Sequence, residues 1–416
     1  MRTVVACVFL PLFGYCVAPV WAGWSQWRGP ERDGVSPEPG LLQEWPEGGP
    51  ELLWTIEGLG RGLSSVAISG GRAYVMGGRG RTQVAAAYDL ATRGEVWNVV
   101  VSEKEGEPRC TPTVAGGRVY ALSTDGQLVC CRAEDGEELW RKSFAADFGV
   151  EGEPAWGFSE SPLVDEERVV VVPGTKEHLA VALKADSGEV IWKTTGDLQG
   201  RGHDGAGYTG AVVSRGGGVK QYVTLVGKGA IGVAAEDGRL LWHYNNVANG
   251  TAVIPTPLVW DDYVFVSSGY GTGAALLELN QDGQGVRADE RYFLESSTFQ
   301  NHHGGMVRLG DHIYAGRGHN NGFPVCLAWK TGEIVWDQGR GPGQESAAVV
   351  AADGCLYFRY QDGVMALMAA SPEAYELRGA FTPPHNDGPA WAHPAIDDGK
   401  LYLRSQDALM CYDIRR

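Results

Sequence analysis

The chain has 416 residues, of which 35 are basic and 51 acidic, giving a formal charge of −16 at pH 7. An acidic excess of that size disfavours nucleic acid and anionic membrane surfaces as partners and suits a soluble secreted protein. None of the cysteines beyond residue 22 stands at a zinc-site spacing.

Residues 1–22 read as a secretory signal: Arg2 is the charged start, Val4 to Val20 is mostly apolar, and Val20-Trp21-Ala22 offers a small-residue cleavage site. A membrane anchor is the alternative, but Pro11, Gly14 and Pro19 interrupt a run barely long enough to span a bilayer. Tyr15 before Cys16 argues against a lipoprotein. The mature chain is therefore expected in the periplasm or outside the cell, with no transmembrane segment after cleavage. Residues 23–50 are rich in proline, glycine and tryptophan. They are predicted to form an ordered, irregular strap on the body that follows, with Trp24 and Trp27 docked in its grooves.

From residue 51 onward one unit repeats: three short strands with period-two alternation, a glycine turn, then a fourth strand carrying a large aromatic. Gly136 to Trp140, Gly188 to Trp192, Gly238 to Trp242 and Gly332 to Trp336 are its clearest copies. The aromatic markers run Trp54, Trp97, Trp140, Trp192, Trp242, Phe293, Trp336 and Phe381, at spacings of 43 to 52 residues. A four-stranded propeller blade needs about 40–50 residues, so each interval holds one blade, and no stretch shows helical periodicity. The first unit departs with Arg93-Gly94, its glycine one place late, and the fifth stretches through Asn280-Gln281-Asp282-Gly283. Lys400–Arg404 and Leu409–Asp413 supply strands with no tryptophan after them, while Glu51–Ile56 supplies the missing strand at the other end. Pairing the two gives an all-β, eight-bladed propeller of four-stranded antiparallel blades over residues 51–416, free of exposed sheet edges. Seven blades is the alternative.

The segment Ala182-Leu183-Lys184-Ala185-Asp186-Ser187-Gly188 through Trp192, with the leader Trp24-Ser25-Gln26-Trp27-Arg28-Gly29-Pro30, resembles the pyrroloquinoline-quinone-like repeat propellers, and the likeness covers residues 23–416. That family includes quinoprotein alcohol dehydrogenases and a noncatalytic scaffold of outer-membrane β-barrel assembly, so the likeness implies a fold and leaves two functions open. The dehydrogenase branch implies a quinone and calcium on the ring axis, with a cofactor-stacking disulfide between adjacent cysteines such as Cys130-Cys131. Another explanation serves that pair. The position six residues before each turn glycine holds Cys130, Ala182, Gly232 and Cys326, and Cys411 fills it in the last unit. It asks for a small side chain, which buried cysteine provides.

In a four-stranded meander the links between first and second strands, and between third and fourth, emerge on one face. Here they are short and plain. The other links emerge on the opposite face, and six of the nine histidines lie in them. Binding residues sit on loops held by a rigid frame, so this face is the expected site. Its candidates are Trp156, His203, Asp204, Tyr208, Asn249, His302, His303, Glu345, Trp391 and His393. Adjacent His302 and His303 point opposite ways on an extended segment, and no nucleophile motif completes a triad with His203-Asp204. No catalytic or metal-binding residue is assigned. The expected function is noncatalytic binding of a protein, peptide or glycan, without a cofactor. The alternative is a quinoprotein oxidoreductase holding pyrroloquinoline quinone and calcium, with Glu160, Asp204, Asn249 and Glu345 as the available oxygen donors.

Overall fold

The computed structural model describes residues 23–416, so the secretion-signal reading of residues 1–22 lies outside the described residues. Eight antiparallel four-stranded sheets form an eight-bladed propeller. Blades 1 to 7 follow in sequence at 67–102, 113–143, 163–193, 212–244, 258–295, 306–337 and 347–381. Blade 8 joins Ala395–Asp397, Lys400–Ser405 and Ala408–Asp413 to Glu51–Ile56, with Trp54 opposite Cys411. Eight blades and closure by the two ends are as expected, and seven is set aside. The first strand of each blade is its axial edge.

The repeated tryptophan joins two blades. Its ring lies beside a tyrosine on the second strand of its own blade: 5.9 Å for Trp97 and Tyr74, 5.9 Å for Trp140 and Tyr120, 6.1 Å for Trp336 and Tyr314. The same ring covers the turn glycine of the next blade. A Cβ on Gly136 would lie 2.8 Å from Trp97, and one on Gly188 2.8 Å from Trp140. These glycines hold φ of +77° and +69°, so both conformation and space require glycine. The indole N–H of Trp97, Trp140 and Trp192 donates to the carbonyl of Ala133, Ala185 and Ala235 in the next blade, at 3.0–3.1 Å. That bond satisfies the polar end of a ring whose body is buried. Cys130, Ala182, Gly232, Cys326 and Cys411 each stand directly across from a tryptophan in the ladder, which is why that position takes small side chains. All six cysteines among the described residues are buried thiols. Cys130 faces the cluster around Tyr120 and Cys131 the one around Tyr74. The alternation of a strand sends them to opposite blade seams.

The irregular units depart from the sequence expectation for visible reasons. In blade 1, Arg93 itself takes the left-handed turn position, at φ +65°. In blade 5 the ring position is Tyr292, opposite Leu276 at the strand bulge, and Tyr292, not Phe293, covers Gly332. In blade 7 that position is Gly379, opposite Leu367, rather than Phe381. The missing ring comes from outside the blade. A Cβ on Gly379 would lie 2.7 Å from Trp45, and the Trp45 ring sits 5.9 Å from Tyr357, the geometry that the other blades make internally. A short helix, Phe144–Phe148, also appears between blades 2 and 3. Ser143 caps it by accepting from the Ala146 N–H, and Phe144 and Phe148 bury its inner side. One turn and a half is too short to leave a periodic signature. Among the described residues no helix is long and apolar enough to cross a membrane.

Residues 23–36 cross the axis. The Trp24 carbonyl accepts from the Ile68 N–H at 2.8 Å, the Ser25 carbonyl from Val114 N–H at 2.8 Å and the Gly34 carbonyl from Ala351 N–H at 2.8 Å. Trp24 is buried between the first strands of blades 8 and 1, beside Ile68 and Ile396. Trp27 departs from the expected groove: it lies over the axis, its indole N–H donating to Thr256 Oγ1 at 3.0 Å. Two buried guanidinium groups pin this crossing. Arg32 donates to the carbonyls of Ser161 at 2.7 Å and Pro162 at 3.1 Å, and Arg28 to those of Met306, Val349 and Asp33. Val35–Ser36 then adds a fifth, parallel strand beside Ala347–Ala352 of blade 7.

Candidate functional site

Links between blades converge on the axis at one face and enclose a cup of about 160 Å³. Arg109, Trp156, Tyr208, Ile254, His302, His303, Trp391 and His393 come from six of these links, Leu63 from a seventh, and Tyr270 from a link within blade 5. Trp27 of the axial crossing closes its inner end, with its ring 4.4 Å from that of His393. Trp156 and Tyr208 meet edge to face at 5.7 Å, and His303 lies 4.9 Å from Trp391. Among the described residues no carboxylate lines the cup.

The histidines of this wall are fixed and neutral. Arg28 Nη1 can only donate, so His393 Nδ1 accepts from it at 3.3 Å, and His393 Nε2–H donates to the His303 carbonyl at 3.1 Å. His302 contacts Ser346 Oγ through Nδ1 at 3.0 Å and Tyr270 Oη through Nε2 at 3.1 Å. Burial pushes His302, His303 and His393 down to about 3, helped by His303 and His319 around His302, by His393 beside His303, and by Arg28 beside His393. Proton transfer near neutral pH needs a group poised there, and these three are not.

Eight of the ten expected residues lie in or beside the cup. Trp156, Tyr208, His302, His303, Trp391 and His393 meet in the cup. His203 and Asp204 stand outside it, in a neighbouring depression that shares Tyr208, and Asp204 pairs with Lys228 at 2.8 Å. The other two do not join them. Asn249 closes its own turn, accepting from Thr251 and Ala252 N–H and donating to Ser268 Oγ at 2.8 Å. Glu345, on the link before blade 7 at φ +63°, accepts from Gln361 within that blade. Glu160 is buried behind the wall, where Oε1 accepts from the Val172 N–H at 2.8 Å and burial raises the carboxyl to about 8. Sequence reasoning missed Trp27, Leu63 and Arg109. The signal for Arg109 was its place in the link between blades 1 and 2, the same register that marked the other links.

A family profile for outer membrane protein assembly factor BamB matches residues 80–338. The chain belongs to this family of PQQ-like repeat propellers. The outer membrane protein assembly factor BamB of Yersinia pestis is 27% identical over 169 residues, which span 37% of this chain and 38% of that relative. Among solved structures, BamB from Moraxella catarrhalis superposes with a TM-score of 0.64 at 14% identity, covering 88% of this chain and 99% of that one. A quinohemoprotein alcohol dehydrogenase from Comamonas testosteroni gives 0.63 at 12% identity, covering 94% and 80%. At these identities the structures share the fold of a PQQ-like repeat propeller and nothing finer.

Within this PQQ-like repeat propeller, the four oxygen donors named from the sequence do not converge on a calcium site. The four oxygen donors available from sequence point to four separate places: Glu160 behind the wall, Asp204 to Lys228, Asn249 to its own turn and Glu345 to Gln361. A hard cation needs several oxygens converging on one point. Cys130 and Cys131 lie in seams of blade 2, away from the cup lining.

Proposed function

We propose that this chain is a noncatalytic propeller that binds partner polypeptides through its loop-rich face, serving as a scaffold in outer-membrane protein assembly in the periplasm. The observation carrying this reading is the aromatic cup, rimmed by Trp156, Tyr208 and Trp391, on the one face where the interblade links gather. Buried aromatic anchors in pockets supply most of the energy of polypeptide recognition. Trp156 remains 41% exposed, a large apolar surface for a partner to cover. The names of the matched relatives support assembly of outer-membrane proteins as the setting. The scattered oxygen donors and neutral histidines support binding over oxidation, and a glycan partner stands behind a polypeptide because, among the described residues, no acidic or amide side chain lines the cup to hydrogen-bond sugar hydroxyls.

The test is made in a bacterium carrying this chain. Deletion is expected to lower the folded, heat-modifiable fraction of its outer-membrane β-barrel proteins. The wild-type chain restores that fraction; a Trp156→Ala, Tyr208→Ala, Trp391→Ala variant with an unchanged circular dichroism spectrum does not. Full rescue by the triple variant overturns the assignment of the face. Stoichiometric uptake of pyrroloquinoline quinone with calcium, accompanied by dye-linked alcohol oxidation, overturns the noncatalytic reading.

A further inference from the structure

The cup has the size of one ring. An apolar cavity of about 150 Å³ holds a single benzene molecule, and this one measures about 160 Å³. Its walls are the faces and edges of Trp27, Trp156, Tyr208, Tyr270 and Trp391, which favour an aromatic occupant. At its mouth stands one accessible cation. Arg109 Nη1 donates to the Trp156 carbonyl at 2.5 Å, which fixes the guanidinium beside the rim. Its Nε and Nη2 have no protein partner among the described residues, and it makes no ion pair there. The chain carries 16 net negative charges, yet among the described residues this cup presents Arg109 and no carboxylate. A planar guanidinium with two donors free is the natural receptor for a carboxylate.

The cup also continues. Tyr208 belongs both to it and to a wider depression of about 660 Å³ running past Phe158, Lys176, His203 and Gly250. A free aromatic acid would use only the first of these spaces, whereas a polypeptide fills the cup with one side chain and lays its backbone over the second.

We infer that the cup is the specificity pocket of the proposed polypeptide-binding face, taking an aromatic side chain whose neighbouring residue presents a carboxylate to Arg109. This rests on the scaffold reading and adds to it the chemistry of the partner segment. Trp27, Trp156 and Trp391 surround the ring, and Arg109 selects the acid beside it.

The test is titration of the purified mature chain with four capped peptides, Ac-Gly-Phe-Asp-Gly-NH2, its Phe-Asn and Ala-Asp counterparts, and a longer Phe-Asp peptide of about ten residues, with 3-phenylpropionate as the free acid. Calorimetry and tryptophan fluorescence read binding. The Phe-Asp peptide is expected to bind about tenfold or more tighter than either counterpart, the size of one charge-assisted contact or one anchoring ring. The longer peptide binds tighter again, and 3-phenylpropionate weakest. Arg109→Gln removes the preference for Asp over Asn and leaves ring binding in place. Ile254→Trp, which fills the cup, removes both. Equal binding of the Asp and Asn peptides, or no difference between Phe and Ala, overturns the inference. Free acid binding tighter than the long peptide makes the cup a small-molecule site and also overturns it. Loss of rescue by the triple rim variant, alongside failure of the peptides, sinks the ring-and-acid chemistry while the scaffold reading stands; full rescue sinks the reading itself.

Discussion

Arg404 and Arg359 occupy the same position on the second strands of blades 8 and 7, two residues beyond Tyr402 and Tyr357. Both are buried, at 1% exposure, and burial lowers both to about 10. Their surroundings differ. Arg404 reaches across the closing seam into blade 1 and the link before it. Its Nη1 donates to Ser64 Oγ at 2.5 Å and the Met76 carbonyl at 2.5 Å, its Nη2 to the Gly60 carbonyl at 2.9 Å and its Nε to the Gln406 carbonyl at 2.9 Å. Arg359 has no protein partner for Nε, Nη1 or Nη2 among the described residues. Arg404→Met strips donors from several buried acceptors, so the expected loss is about 3–5 kcal/mol. Arg359→Met removes a buried charge that the protein does not compensate, so the expected gain is about 1–4 kcal/mol. With an unfolding entropy of about 2.1 cal/mol/K per residue over the roughly 394 described residues, about 4 kcal/mol corresponds to a Tm shift of about 5 °C. Calorimetry and urea denaturation of the two single variants measure both values. Shifts in the same direction, or an unchanged Tm for Arg404→Met, refute the reasoning that partners rather than burial decide the sign.

Three further outcomes are expected. His302, His303 and His393 sit near 3 when folded, far below the usual histidine value of about 6.5, so the folded chain binds fewer protons than the unfolded one. Their contribution is fully present above about pH 6.5 and is lost as pH falls, by up to about 1.4 kcal/mol per unit for each ring; a flat Tm between pH 6.5 and 4.5 refutes it. Glu160, raised to about 8, has the opposite sign: its contribution is present at low pH and lost as pH rises through 8, so Glu160→Gln is expected to hold its Tm at pH 9 where the wild type declines, and parallel curves refute this. Trp45→Ala empties the ring position of blade 7 and is expected to cost about 3–5 kcal/mol in a denaturation experiment, against less than about 1 kcal/mol if Trp45 merely rests on the surface.

The blades were legible because their signal is repeated and local: a turn glycine, a ring and a small residue across from it recur at fixed offsets. Tyr292 and Gly379 were misassigned because the bulge in the fourth strand shifts register by one or two residues, which neighbouring aromatics, Phe293 and Phe381, disguise. The loop-rich face was legible from strand order. Which loop residues meet was not, since side-chain direction within an irregular link follows from packing. Asn249 and Arg109 show both sides of this. Asn249 has the composition of a ligand residue but is consumed by its own turn, while Arg109 belongs to a link with no histidine or tryptophan to single it out.

The strap that crosses the axis sets the order in which this molecule can be completed. Trp24 pairs with Asp397 across 373 positions, Leu41 with Asp353 across 312, and Glu38 reaches Asp398 across 360. The strap must therefore wait for partners made more than 300 residues later, while blades 1 to 6 can form from neighbouring sequence alone. Contacts so remote in sequence slow the search for the native state, and joining the ends of a long chain carries an entropic cost that rises with its logarithm. Ring closure is thus the late, slow event of folding. Until it occurs, Trp45, Trp24 and the open edge of blade 8 remain exposed together, which makes that interval the one in which a chaperone has something to hold.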